Sequence, residues 1–437
     1  MAKLGAFCFP GTGHINPMTA LARRLEQRGH KLVIFGIADC ESRVRAAGIR
    51  FHQIGASDYP PGTLAALDQR LGELHGLATF RFTVDRVKNT ARMVLRDGPS
   101  AVLAERCDAL LCDEADMGST VAEHLRLPFV SVAFFPPLIQ DDRIPAFCFP
   151  WQPGTSAFTR LRNRLGFRLL SRFAAPIYAV VNQQRIAWGL PPLNGATDAL
   201  SPLAQITQLP RALEFDIGGL PPNLYYTGPF VDAHQRPPID FPWDELDGRP
   251  LVYASLGTLQ NGAETTFRTI AEACAPLDCQ LVISLGGGLS PDRLPNLPGS
   301  PIVVGYAPQL ELLKRATVCI THAGLNTVLE SLAEGVPLVA LPLGNDQPGV
   351  AARLHARGAG LVVSRSGLSV SRLRAAVRAA LTDGRYRTAA QSIQSAIRST
   401  DALSRAADII EQSLNIGSQR PFPQGKLDTP DKIKIGA

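Results

Sequence analysis

Short unbroken apolar runs alternate with amphipathic stretches along most of the chain. The runs Leu4 to Pro10 and Leu32 to Phe35 have the composition of parallel strands buried on both faces. Between them Leu21 and Leu25 share one face of a helix whose other faces carry Arg23, Arg24, Glu26 and Arg28. Asn16 is expected to cap that helix, with Pro17 in its first turn and Gly29 at its end. The alternation continues through a strand over Asp108 to Asp113, a helix across Val121 to Leu125 and a strand over Pro128 to Phe135. Strands alternating with helices predict a parallel α/β sheet.

The pattern lapses near Pro221 and Pro222 into a proline-rich stretch that runs to about Gly248. It resumes at Leu251 with a second strand-loop-helix series: Leu251 to Thr258, then LVISLGGG, IVVGYAP, VCITHAG, PLVALPLG and GLVV. Two α/β halves are therefore expected, residues 1–230 and 249–398, joined by a linker over 231–248. A last helix lies within 399–415, and the Pro-, Gly- and Lys-rich tail 416–437 is expected to be disordered.

At 437 residues, with 45 % hydrophobic content and few aromatics, the chain is ordinary for an α/β protein of two or three domains. No apolar run approaches the ~18 residues that span a bilayer. The start reads as a strand rather than a leader. The eight cysteines show neither zinc spacing nor a Cys-x-x-Cys pair and read as core residues in a reducing compartment, so a cytoplasmic location is expected. The net charge of +6 comes with no nucleic-acid-binding module. It is unevenly spread: from Arg143 to Thr197 there are seven arginines and no acid. Within that segment Arg160, Arg164, Arg168 and Arg172 recur beside Leu161, Leu165, Leu169 and Phe173, forming an amphipathic helix up to Pro176. Two readings stand for Arg160 to Phe173. One is a helix lying on an anionic membrane at its inner face; the other is a surface helix that buries its apolar face.

Two stretches carry chemistry. In FPGTGHINP (Phe9 to Pro17), Gly11-x-Gly13 begins like a dinucleotide-binding loop, but Asn16 stands where its third glycine belongs. With Asp39 placed as a ribose acid, this supports a nicotinamide-dependent oxidoreductase as an alternative. In the second half, the strand Val318 to Thr321 runs into the turn His322-Ala323-Gly324 and a helix opened by Asn326 and Thr327. A helix N-terminus offers unpaired N–H groups and partial positive charge to a phosphate. Glu330, one turn on, can accept two hydrogen bonds from a ribose diol, and Asp346 and Gln347, after the next strand, suit sugar hydroxyls.

Together these residues resemble the donor-binding signature of family 1 nucleotide-sugar glycosyltransferases of the GT-B fold, which include plant secondary-product glucosyltransferases and bacterial macrolide, sterol and carotenoid enzymes. Tyr306-Ala307-Pro308-Gln309, His322-Ala323-Gly324-Leu325-Asn326, Glu330 and Asp346-Gln347 follow the family pattern in order and spacing. Ser255-Leu256-Gly257-Thr258 and Tyr226-Thr227-Gly228-Pro229 resemble its phosphate loop and pre-linker motif. The sequence departs from the plant pattern, which has Trp at positions 306 and 325 and Ser at 327.

The resemblance implies two Rossmann-like domains facing each other across a cleft, with the last helix packing back on the first half. It implies a UDP-sugar co-substrate, with glucose the expected hexose, a lipophilic small-molecule acceptor, no cofactor and no metal. Tyr306 would stack on uracil, and Gln309 and Glu330 would hold the nucleoside. His322, Gly324, Asn326, Thr327 and Thr258 would hold the diphosphate, and Asp346 and Gln347 the hexose. His14 takes the place of the family's catalytic base, and Asp113 that of its carboxylate partner, with Glu114 and Asp116 as rivals in the same loop. Imidazole titrates near neutrality, which suits proton abstraction from a hydroxyl, and the imidazolium formed needs a carboxylate beside it. Phe134, Phe135, Phe149 and Trp151 are expected to wall the acceptor pocket, in a region weakly similar to carotenoid and sterol enzymes. A non-catalytic sugar-nucleotide-binding protein is a further alternative; it would have no need of His14.

Overall fold

The computed structural model describes residues 1–74, 76–232, 238–257 and 264–416. The apolar runs of the first half become strands β1 (Lys3–Phe7), β2 (Lys31–Gly36), β3 (Arg50–Gln53), β4 (Ala109–Asp113), β5 (Phe129–Ala133), β6 (Gln205–Thr207) and β7 (Leu224–Tyr226). Those of the second half become β8 (Leu251–Ser255), β9 (Gln280–Ser284), β10 (Ile302–Val304), β11 (Ala316–Thr321), β12 (Leu338–Ala340) and β13 (Gly360–Val362). The helices of the first half are α1 (Thr12–Gln27), α2 (Ala38–Ala46), α3 (Thr63–Glu73), α4 (Leu77–Glu105), α5 (Gly118–Leu125) and α6 (Ala157–Ala187). The second series contributes α7 (Glu264–Cys274), α8 (Gln309–Leu313), α9 (Leu325–Ala333), α10 (Gln347–Ala356), α11 (Val370–Thr382) and α12 (Gly384–Arg398), and the last helix is α13 (Ala402–Ser413).

Every strand pairs in parallel, in the orders 3-2-1-4-5-6-7 and 10-9-8-11-12-13. Helices cover both faces, so β4, β5, β8 and β9 are buried at every residue; that is why their sequences read as continuous apolar runs. Each sheet reverses its strand order once, between β1 and β4 in the first and between β8 and β11 in the second. The crevice beyond the strand ends at such a reversal is where open α/β sheets bind ligands.

Two helix boundaries differ from expectation. Helix α1 begins at Thr12, with Gly11 in extended conformation before it, so Asn16 and Pro17 lie inside the helix rather than at its start. His14 thereby sits on the first turn. Helix α6 runs through Pro176 to Ala187. Pro176 is on the exposed face, where water can satisfy the carbonyl its missing N–H releases.

The two halves are tied together at the back of the cleft. The segment after β6 delivers Leu209 and Leu213 into the second half's core. Next to them Glu214 receives Arg353 of α10 at 2.7 Å with both side chains almost wholly buried, and the guanidinium lies 4.6 Å over the Phe215 ring. Helix α13 returns to the first half, where Ala406, Ala407 and Ile410 join its core. Arg24 of α1 and Arg28 just after it meet Asp401 and Glu411 at 2.7 and 3.1 Å.

Candidate active site

A cavity of about 1140 Å³ separates the two reversal points and is lined from both halves. It is large enough for two small ligands at once. Its floor in the first half comes from β1 and β4. Because Phe7 pairs with Cys112 in register, the helix after β1 and the last residue of β4 are neighbours. His14 Nδ1 lies 2.7 Å from Asp113 Oδ2, and the carboxylate also accepts from the Phe9 and Ala115 amides at 3.1 and 3.0 Å. These backbone bonds fix the carboxylate, and the carboxylate fixes the ring. Burial works against a charged His14, yet the charge and hydrogen bond of Asp113 outweigh it, and the imidazole pKa is raised above its ordinary 6.5. Burial pushes the rivals up instead, Glu114 to about 8 and Asp116 to about 7, with Asp113's charge adding to both. Carboxyls so raised are poor partners for an imidazolium. Asp116 is engaged with the Gly118 amide at 2.8 Å and Glu114 with the Leu138 amide at 3.3 Å.

The facing wall is the second reversal point. His322 follows β11 and lies beside Gly257, which follows β8. A Cβ at Gly257 would stand 2.5 Å from the His322 ring and one at Gly324 2.4 Å from its Nε2, so the imidazole fits only between two glycines. Gly257 also has φ +76, which suits glycine. Burial drives the His322 pKa down to about 4, so the ring is neutral near pH 7 and one nitrogen donates a hydrogen bond. Ala323, at φ +67, holds the turn in a conformation that costs a non-glycine residue about 1 kcal/mol or more. Gly324 then caps α9, whose first turn carries Leu325, Asn326 and Thr327 into the cavity.

Glu330 is nearly buried and accepts from Gln309 Nε2 at 2.6 Å, while Tyr253 donates to Gln309 Oε1 at 3.0 Å. Tyr306 is 57 % exposed at the cavity wall, a free aromatic face. Asp346 precedes α10 and lines the cavity with Gln347. Burial raises Asp346 to about 6, and Gln347 Oε1 accepts from the Leu343 and Gly344 amides at 2.7 and 3.0 Å. Thr258 lies outside the described residues.

The Asn326 side chain is engaged across the cleft. Its Nδ2 donates to the Gly13 carbonyl at 2.9 Å and its Oδ1 accepts from Gln208 at 2.8 Å. Pro17 makes that contact possible. In an unbroken helix the Gly13 carbonyl would accept from residue 17, but proline has no N–H and its ring crowds that carbonyl. The released oxygen turns to Asn326. Pro17→Ala is therefore expected to raise thermal stability, by restoring the helix bond, and to raise the KM for the sugar donor roughly threefold by loosening the closed cleft. Steady-state kinetics beside a melting curve would check both, and an unchanged KM would refute the link.

Of the expected acceptor aromatics, Phe134 and Phe135 line the cavity with ring centroids 5.8 and 6.3 Å from His14. Phe149 and Trp151 do not line it. They stack on each other at 4.1 Å and pack against Gly166 of α6, where a Cβ would stand 2.7 Å from Trp151. Gly166 thus serves this close packing. The cavity also uses Phe9, at the head of the glycine loop, and residues that no motif marks, among them Phe80, Phe230 and Arg86. Arg86 is buried on α4, paired with Asp68 at 2.9 Å and 5.6 Å over the Phe9 ring. Asp39, the residue on which the oxidoreductase reading leans, spends both oxygens on the Gly62 and Leu64 amides at 2.7 and 2.6 Å, at the start of α3.

Residues 212–407 match the family model described as UDP-glucoronosyl and UDP-glucosyl transferase. The chain is 32 % identical over 420 residues to a zeaxanthin glucosyltransferase of Pantoea ananas, covering 95 % of this chain and 97 % of the relative. It is 31 % identical over 362 residues to a zeaxanthin glucosyltransferase of Pseudescherichia vulneris, covering 82 % of this chain and 84 % of the relative. Among solved structures it is similar to the glycotransferase of kitacinnamycin, with TM-score 0.73 and 22 % identity over 94 % of this chain and 98 % of that one. Its two parallel sheets are those of GT-B glycosyltransferases, and the likeness to the first relative spans nearly both full lengths; the chain belongs to the family 1 UDP-glycosyltransferases and is a glycosyltransferase.

Proposed function

We propose that the protein transfers glucose from UDP-glucose to a hydroxyl group of a carotenoid, with inversion at the anomeric carbon. The observation that carries the mechanism is the His14–Asp113 pair facing the α9 N-terminus across one cavity. His14 Nε2 takes the proton from the acceptor hydroxyl, and Asp113 stabilises the imidazolium that forms. The acceptor oxygen bonds to the anomeric carbon from the face opposite the diphosphate. The bond from that carbon to the β-phosphate oxygen breaks, and UDP leaves with the electron pair. The first-turn amides of α9 and a neutral His322 donate to the leaving diphosphate, which needs no metal ion for its charge to be met. Gln309 and Glu330 hold the nucleoside against the Tyr306 face, Gly324 and Thr327 supply amides to the diphosphate, and Asp346 and Gln347 hold the hexose.

The acceptor class draws on the two zeaxanthin glucosyltransferases among the relatives. It draws also on the apolar wall of Phe9, Phe134 and Phe135 around His14, with Phe80 and Phe230 lining the same cavity. The test is incubation with UDP-glucose and zeaxanthin dispersed in lipid, with chromatography and mass analysis of the product. A β-glucoside formed at an unchanged rate in the presence of a chelator is expected. An α-linked product would refute inversion, and turnover of a polyketide aglycone but of no hydroxylated carotenoid would refute the acceptor.

A further inference from the structure

We infer that the outer face of α6 docks on an anionic phospholipid bilayer. Phe158, Leu161, Leu165 and Leu169 are 75, 54, 52 and 49 % exposed, a density of solvent-facing large apolar side chains found nowhere else on one helix among the described residues. At about 100° per residue they fall within about 80° of one another around the axis. The buried face of the same helix is made by Asn163, Gly166, Ile177 and Val181, on roughly the opposite side. The leucines therefore do not contribute to the core, as an ordinary surface helix would require of its apolar stripe. Contiguous exposed apolar surface of this kind marks an interaction site.

Charge selects the occupant. Arg160, Arg164, Arg168 and Arg172 border or interrupt the stripe, and the segment from Ile144 to Thr197 contains no acid. Arg160 and Arg164 share Asp142, at 3.0 and 2.6 Å, whereas Arg168 and Arg172 make no ion pair among the described residues. An apolar stripe bordered by uncompensated guanidinium groups matches the acyl boundary and headgroups of an anionic leaflet. No helix among the described residues is long and apolar enough to cross a membrane, so the contact is with the surface. The same helix lines the cavity with Leu170, Ala174 and Ile177. It is thus one wall between bilayer and pocket, and docking on it brings a membrane-dissolved acceptor to the wall of the cavity that holds His14. The docking surface itself does not depend on which acceptor is used.

Flotation of the full chain with vesicles tests this. Wild type is expected to float with phosphatidylcholine–phosphatidylglycerol vesicles, to bind phosphatidylcholine vesicles far less, and to be released by salt. Leu161→Gln/Leu165→Gln/Leu169→Gln is expected to weaken partitioning by at least about tenfold and Arg168→Gln/Arg172→Gln by about tenfold. Both variants should keep the wild-type melting curve and UDP affinity, which separates a lost surface from a lost fold or donor site. Wild type that stays out of the vesicle fraction, or variants that float as wild type does, would overturn the inference. So would a wild-type dimer, seen by sedimentation velocity, that the leucine variant dissociates while neither binds vesicles; the face would then belong to a second copy of the chain.

Discussion

Replacing His14 with alanine is expected to lower the transfer rate by about a thousandfold and to leave the affinity for UDP within a factor of about two. The contrast follows from where the side chain sits. His14 is held by Asp113 at the end of β4, on the first-half side of the cavity, while Gln309 and Glu330, the pair proposed to hold the nucleoside, are on the other. The pH profile gives a sharper test. A base must be unprotonated to act, and the pKa of His14 is raised above 6.5, so activity should fall as pH drops through a value higher than that of an ordinary histidine. Asp346, raised to about 6, loses its acceptor-only form below that, so a second loss in the same direction follows. Asp113→Asn removes the charge that raises His14. Its acid limb should therefore move to lower pH, while kcat falls because the imidazolium is left without its counter-charge. A mutant with wild-type pH dependence, or His14→Ala retaining a tenth of the wild-type rate, would remove His14 from the chemistry.

The parts of the site that the sequence made legible are those whose backbone setting is local. A strand, a glycine-bearing turn and a helix N-terminus occur within a dozen residues, so His322, Gly324, Asn326 and Glu330 could be placed relative to one another without knowing the fold. The pairing of His14 with Asp113 spans 99 positions and was readable through order and resemblance, since each follows an apolar run. Legibility failed where tertiary packing decides. Asn16 and Pro17 carry the composition of a helix start, yet the glycine loop itself is helical and the proline acts by releasing the Gly13 carbonyl. Phe149 and Trp151 have the same aromatic character as Phe134 and Phe135, but Gly166, within the helix that follows them, gives them a different place to pack. Arg86 and the Glu214–Arg353 pair carry no local signature at all, because each is defined by a partner distant along the chain.

Replacing Glu330 with alanine is expected to weaken UDP and UDP-glucose alike by about a hundredfold, with a much smaller change in kcat at saturating donor. The carboxylate is 3 % exposed and receives Gln309 at 2.6 Å. A hydrogen bond to a charged acceptor is worth about 1.5–3 kcal/mol when desolvated, and a ribose diol offers two donors to one carboxylate. About 2.7 kcal/mol corresponds to the hundredfold expected. A general loosening of α9 could weaken the donor too, so the ligand has to be varied with the protein. Calorimetric titration with UDP and with its 2′-deoxy analogue supplies the second edge of a cycle. Wild type should discriminate between the two nucleotides, and Glu330→Ala should bind both equally weakly, because the partner that reads the missing hydroxyl is gone. If the variant still preferred UDP to the deoxy nucleotide by the wild-type factor, Glu330 would be a buried support for Gln309, and the ribose would be read by another group. If instead discrimination vanished while the His14 variant kept it, the cavity would divide as its two sheets do: sugar-nucleotide recognition at the β8–β11 reversal and proton transfer at the β1–β4 reversal, each on its own half of the chain.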